Sequence, residues 1–135
     1  MIPAVYLVLI EDGRILMARR TNTGYGDGMY SLVAGHVEAG ETLTAALIRE
    51  AREEAGLVLD AADLTLAHTL HRPADGRLDF FFTARNREGT IEIREPDKCD
   101  DLSWFQIDEL PATTLPYIRW AIEQIREGVG FAVSE

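Results

Sequence analysis

The chain has 135 residues, 47% hydrophobic and 27% charged, which fits a single domain (1–135) able to bury its own core. A formal net charge of −10 argues against a nucleic-acid partner, because a backbone binder needs a basic surface. It leaves room for a small anionic ligand, since a bound cation can reverse the local field. Cys99 is the only cysteine, so an intrachain disulfide is excluded and a reducing compartment is favoured.

In chain order, Ala4 to Ile10 is apolar and β-branched, Glu11-Asp12-Gly13 is turn chemistry, and Arg14 to Arg20 resumes an apolar run. This pattern predicts a hairpin of two strands. The opening run lacks a basic leader and is too short to span a bilayer, so a soluble, cytoplasmic protein without a membrane partner is expected. Residues 21–29, TNTGYGDGM, hold three glycines and read as a surface loop. Tyr30 to Val33 reads as a short strand, and residues 34–42, with Gly35 and Gly40, as a loop. Thr42 suits the N-cap of a helix running to Ala55, which Gly56 can end in a left-handed conformation. Leu64 to His71 and Leu78 to Ala84 read as strands joined by the turn Pro73-Ala74-Asp75-Gly76. Thr90 to Ile93 reads as a short edge strand and Leu102 to Ile107 as a further strand. Leu115 to Arg126 repeats apolar residues at helical spacing. Strands on both sides of one central helix, with a second helix at the end, predict an α/β fold with a mixed sheet between helices.

The central helix carries the chemistry. At about 100° per residue, Thr44, Leu47, Ile48, Ala51 and Ala55 share an arc suited to packing on a sheet. Glu50, Glu53 and Glu54 fall on the adjacent arc, with small Ala46 between and Arg49 at the flank. A solvated stripe would more naturally lie opposite the buried face, where Arg52 falls. Crowding like charges costs a few tenths of a kcal/mol per pair, so a plain Glu/Arg surface helix with an Arg49–Glu53 pair is one reading. A divalent ion would turn the same crowding into a site. Carboxylates without Cys or His beside them are hard oxygen ligands, suited to Mg²⁺ or Mn²⁺ held together with substrate phosphates.

The segment GHVEAGETLTAALIREAREEAGL, residues 35–57, resembles the signature of the Nudix hydrolases. Gly35, Glu41, Arg49, Glu50, Glu53, Glu54 and Gly56 stand in its register, with Ala51 and Leu57 at its aliphatic positions. A chance match of those seven Gly, Glu and Arg positions is on the order of 10⁻⁸ per starting point. Ala51 is smaller than the usual aliphatic, and Val33-Ala34-Gly35 stands where many members have Pro-Gly-Gly. The resemblance implies the Nudix α/β/α sandwich with a central mixed sheet. It implies that Glu50, Glu53, Glu54 and the main chain of Gly35 hold Mg²⁺ or Mn²⁺, and that Glu41 pairs with Arg49 to fix the loop on the helix. It also implies the reaction, attack of water on phosphorus in a nucleoside diphosphate linked to a group X. Among these residues Glu53 is the favoured general base. A homodimer is what family habit implies.

For the substrate, EPDKCDDLSWF at 95–105 resembles the loop and strand of members acting on nucleoside triphosphates, oxidised purine nucleotides included. Glu95, Asp100 and Asp101 are the acids there that such a loop brings towards the metal, or else solvated turn residues. Arg20 resembles an arginine that contacts substrate phosphates, or else ends its strand at the surface. Tyr30, Phe80, Phe82 and Trp104 offer stacking surface or core filling. His68 and His71 face opposite sides of one strand, so they do not form a two-histidine metal site; His71, near a turn, can touch a ligand or stand in water. The expectation is a Mg²⁺-dependent hydrolase giving a nucleoside monophosphate and pyrophosphate. A hydrolase of ADP-ribose, nucleotide sugars or dinucleoside polyphosphates, and a nucleotide-binding module without turnover, are the alternatives.

Overall fold

The computed structural model describes residues 1–134; Glu135, the last residue of the expected domain, lies outside the described residues. Its core is a five-stranded mixed sheet in the order β5-β1-β7-β6-β9, made of β1 (Ile2–Val8), β5 (Ala34–His36), β6 (Leu64–Arg72), β7 (Arg77–Ala84) and β9 (Phe131–Val133). β1 runs parallel to β7 and β6 parallel to β9, while β5 and β7 pair antiparallel with β1 and β6 respectively. A second, antiparallel sheet groups β2 (Ile10–Glu11), β3 (Arg14–Arg20), β4 (Tyr30–Ser31) and β8 (Cys99–Gln106) around β3.

β1 is apolar on both faces because it is covered on both. Val5, Leu7 and Leu9 pack with Leu47, Ala51 and Ala55 of α1 (Leu43–Ala55). Tyr6 and Val8 pack with Ile118, Ala121 and Ile122 of α2 (Pro116–Arg126). Helices on both faces of a mixed sheet form the α/β/α sandwich. Ala46 and Ala51 are fully buried; side chains this small let α1 lie close to the strand that carries the site.

Three expectations need correction. The β1–β3 hairpin closes only at its tip, through β2, because β1 gives its edges to β5 and β7 instead. Residues 34–36 are strand, not loop: Tyr6, Val5 and Ala4 pair with Ala34, Gly35 and His36, a tertiary edge that local composition does not encode. Residues 90–93 form no strand. Glu92 N donates to Ala55 O at 3.0 Å and Arg94 N to Glu54 O at 3.2 Å, so this segment satisfies carbonyls left orphaned at the end of α1. No helix among the described residues is long and apolar enough to cross a membrane.

Candidate active site

Local chemistry sets the pitch of α1. Thr42 Oγ1 accepts the Ala45 N–H at 3.1 Å, and Gly56 ends the helix at φ 70° with its N–H on Arg52 and Ala51 carbonyls. Between these caps Glu50 and Glu54, four residues apart, turn towards β5, while Glu53 lies further out, with 51% of its side chain exposed.

Arg49 ties the loop to this row. Its guanidinium donates to both Glu41 oxygens at 2.8 and 2.9 Å, to Glu50 Oε1 at 2.8 Å, to Glu53 Oε2 at 3.3 Å and to the His36 carbonyl at 3.2 Å. That hydrogen bonding lowers the Glu41 pKa to about 2 and raises that of Arg49. The Glu41–Arg49 pairing implied by the resemblance is thus present as a two-pronged fork. Lysine would keep the charge and lose the fork. Arg49→Lys is expected to lower kcat about 10- to 100-fold with little change in melting temperature, read by steady-state kinetics beside a thermal melt.

Glu54 is the charge without an answer. Its carboxylate accepts one hydrogen bond, from Ala34 N at 3.0 Å. Burial, with the neighbouring Glu50 and Glu95 charges, raises its pKa to about 8. Burial also raises Glu50, against the opposing pull of Arg49. Gly35 completes the cradle. A Cβ there would overlap the carboxyl carbon, Oε1 and Cγ of Glu50, so the β5 backbone approaches that carboxylate as only glycine allows. No three acidic groups among the described residues converge as ready-made metal ligands; Arg49 draws Glu50 and Glu53 to itself instead. The donor set nevertheless fits a hard divalent ion: carboxylate oxygens, a strand backbone that can come close, and a buried acid that ionises at neutral pH only with a cation beside it.

The acids open into a cleft of about 540 Å³ that also takes in Arg20, Glu95, Lys98 and Cys99. A second lobe of about 420 Å³ adjoins it, lined by Tyr6, Tyr25, Arg72, Arg77 and Tyr117. Arg20, Thr23, Ser31, Ala34, Gly35 and His36 line both. Arg20 is held by the Tyr25 carbonyl at 2.7 Å and by Thr23 Oγ1 at 3.1 Å, with no acid paired to it among the described residues. Arg20 and Glu95 therefore lie with the helical acids.

Three expected substrate contacts do not. Tyr30 is buried, its ring edge-on to Phe105 and its hydroxyl bonded to Asp101. Trp104 pairs across β8 and β3 with Leu16, on the side packed by α1, beside the Arg87 guanidinium. His71 points to the sheet face opposite that of Arg72, away from both lobes. Asp100 holds Arg19 at 2.7 Å, and Asp101 serves Tyr30 and Ser103; neither lines the cleft. His36 and the second lobe are absent from the sequence reading. Its one visible trace is a charge in the buried phase of each of two strands, Arg72 and Asp79, which pair at 2.6 Å.

An α/β/α sandwich that presents helical carboxylates and a strand glycine to a two-lobed cleft defines the class of domain. The NUDIX domain model matches residues 1–125, and the chain belongs to that family. It is 35% identical over 127 residues to the NAD-capped RNA hydrolase NudC of Chromobacterium violaceum, a match covering 90% of this chain and 46% of that relative. The chain thus spans less than half the length of that relative. Similarity to the oxidized purine nucleoside triphosphate hydrolase of Danio rerio is 31% over 117 residues, 78% of this chain and 66% of that one. The crystal structure of a MutT NUDIX hydrolase from Burkholderia pseudomallei superposes with a TM-score of 0.82 at 29% identity, over 90% of this chain and 95% of that one.

Proposed function

We propose that this domain is a Mg²⁺-dependent nucleoside triphosphate pyrophosphohydrolase that releases a nucleoside monophosphate and pyrophosphate. The observation carrying this reading is the junction of the lobes. The acids lie in one lobe, a space of about 420 Å³ walled in part by tyrosines forms the other, and Arg20 and Gly35 border both. A polyphosphate running past Arg20 would lie against Glu50, Glu53 and Glu54 while its nucleoside rests near Tyr6, Tyr25 and Tyr117. When bound, Mg²⁺ held by those acids and the Gly35 main chain would neutralise charge on the phosphate oxygens and acidify water. The chain itself supplies the rest. Arg49 fixes the row of acids, Arg20 positions the phosphates, and exposed Glu53, tied only to Arg49, takes the proton from water. The Danio rerio relative, by its name, acts on the same class of substrate.

A second reading is hydrolysis of a dinucleotide of the NAD type, favoured by the similarity to NudC. If it held for NAD-capped RNA, the nucleic-acid partner disfavoured by the −10 charge would return. A panel of NTPs, dNTPs, ADP-ribose and NAD⁺ with Mg²⁺, its products resolved chromatographically, separates the two. The proposal expects pyrophosphate from at least one triphosphate, lost on adding EDTA. Cleavage of NAD⁺ or ADP-ribose to AMP with inert triphosphates would favour the second reading.

A further inference from the structure

The second lobe holds more positive charge than a nucleoside needs. Strand register places His36, Asp79, Arg77 and Arg72 on one face: Ala4 pairs with His36 on one side and Asp79 on the other, and Arg77 pairs with Arg72. Small Ala4 between them forms part of the floor. Asp79 is fully buried and satisfied by Tyr6 Oη at 3.1 Å and Arg72 Nε at 2.6 Å. Arg72 lies 3.8 Å from the Tyr117 ring centre and also reaches Asp75 at 3.3 Å. Its charge is therefore answered by two acids.

Arg77 stands beside it, half-buried, lining this lobe but not the cleft of the helical acids. It makes no ion pair or side-chain hydrogen bond with any of the described residues. In a chain of net charge −10, the two guanidiniums of this lobe with no acid paired to them among the described residues are Arg20, at the shared rim, and Arg77, away from it. The first faces the anhydride. The second is placed to meet an anion that the ligand brings.

We propose that Arg77, with His36 lining the same lobe across β1, forms a subsite for a second anionic group of the substrate, a phosphate ester on the ribose separate from the 5′ chain. This rests on the reading that the nucleoside occupies this lobe. The 5′ phosphates run past Arg20 to the acids, so an anion reaching Arg77 must hang from the nucleoside, whose ribose hydroxyls are the positions that carry phosphate. A guanidinium grips a phosphate through paired N–H donors.

The test is calorimetric binding of AMP, adenosine 2′,5′-bisphosphate and adenosine 3′,5′-bisphosphate with Mg²⁺ to wild type, Arg77→Ala and Arg77→Lys. One bisphosphate is expected to bind wild type at least about tenfold tighter than AMP. That ratio should fall to near one in Arg77→Ala and be partly kept in Arg77→Lys. Arg77→Gln replaces the alanine variant if thermal melts show that it unfolds. Bisphosphates no tighter than AMP, or a ratio untouched by the loss of Arg77, would overturn the proposal. Because binding needs no turnover, an enzyme inert on triphosphates would refute the hydrolase reading and still leave this comparison decisive.

Discussion

Glu54→Gln should yield a protein that is more stable and nearly inactive. The Glu54 pKa of about 8, raised first by burial, compares with an ordinary carboxylate value near 4.3. A folded-state pKa above the unfolded one gives stability that is fully present below the unfolded value and lost as pH rises through the folded value. Metal-free wild type should therefore lose stability between about pH 4.5 and 8, whereas the glutamine variant, neutral throughout and still able to accept the Ala34 N–H, should not. At pH 7 the difference is at most about 4 kcal/mol in favour of the variant. Mg²⁺ should reverse the order by stabilising wild type alone, and turnover in the variant should fall about 10³-fold. Melts from pH 5 to 8.5, in EDTA and in Mg²⁺, check this. Parallel curves for the two proteins would show that Glu54 bears no unanswered charge.

Gly35→Ala should cost at least about 10²-fold in kcat/KM with the fold intact. The Gly35 backbone is not in the left-handed region, so alanine strains nothing by itself; the three atoms nearest an added Cβ all belong to the Glu50 side chain, which must move. A double-mutant cycle isolates the cause. If the damage passes through Glu50, Gly35→Ala with Glu50→Ala will be no slower than Glu50→Ala alone. Additive losses would assign Gly35 a separate role.

How much was legible beforehand follows from how local each signal is. Thr42 and Gly56 bound α1 by chemistry contained in a few residues, and the caps form as their types predict. The spacing of Glu50, Glu53 and Glu54 likewise survives folding, because a helix converts sequence distance into angle without help. Pairing across the molecule is different. Ala34–His36 becomes strand only because β1 has a free edge, and residues 90–93 give up strand pairing to cap α1. The same limit governs the aromatics. Tyr30 and Trp104 have the right chemistry for stacking, but register turns them into the core, while Tyr6 and Tyr117, 111 residues apart in the chain, meet at 3.1 Å through their hydroxyls. Charge in an apolar phase, as at Arg72 and Asp79, was the one sequence feature that marked the second lobe.

If Glu50, Glu53, Glu54 and the Gly35 main chain hold a divalent ion against a polyphosphate, as proposed, the ion will be visible there by its anomalous signal. The measurement is diffraction from crystals soaked in Mn²⁺ with a non-hydrolysable nucleoside triphosphate analogue. A peak within coordination distance of those carboxylates and of the analogue's phosphates, with Arg49 still forked on Glu41, is the expected result. Anomalous density elsewhere, or none beside carboxylates that stay bound to Arg49, would contradict it.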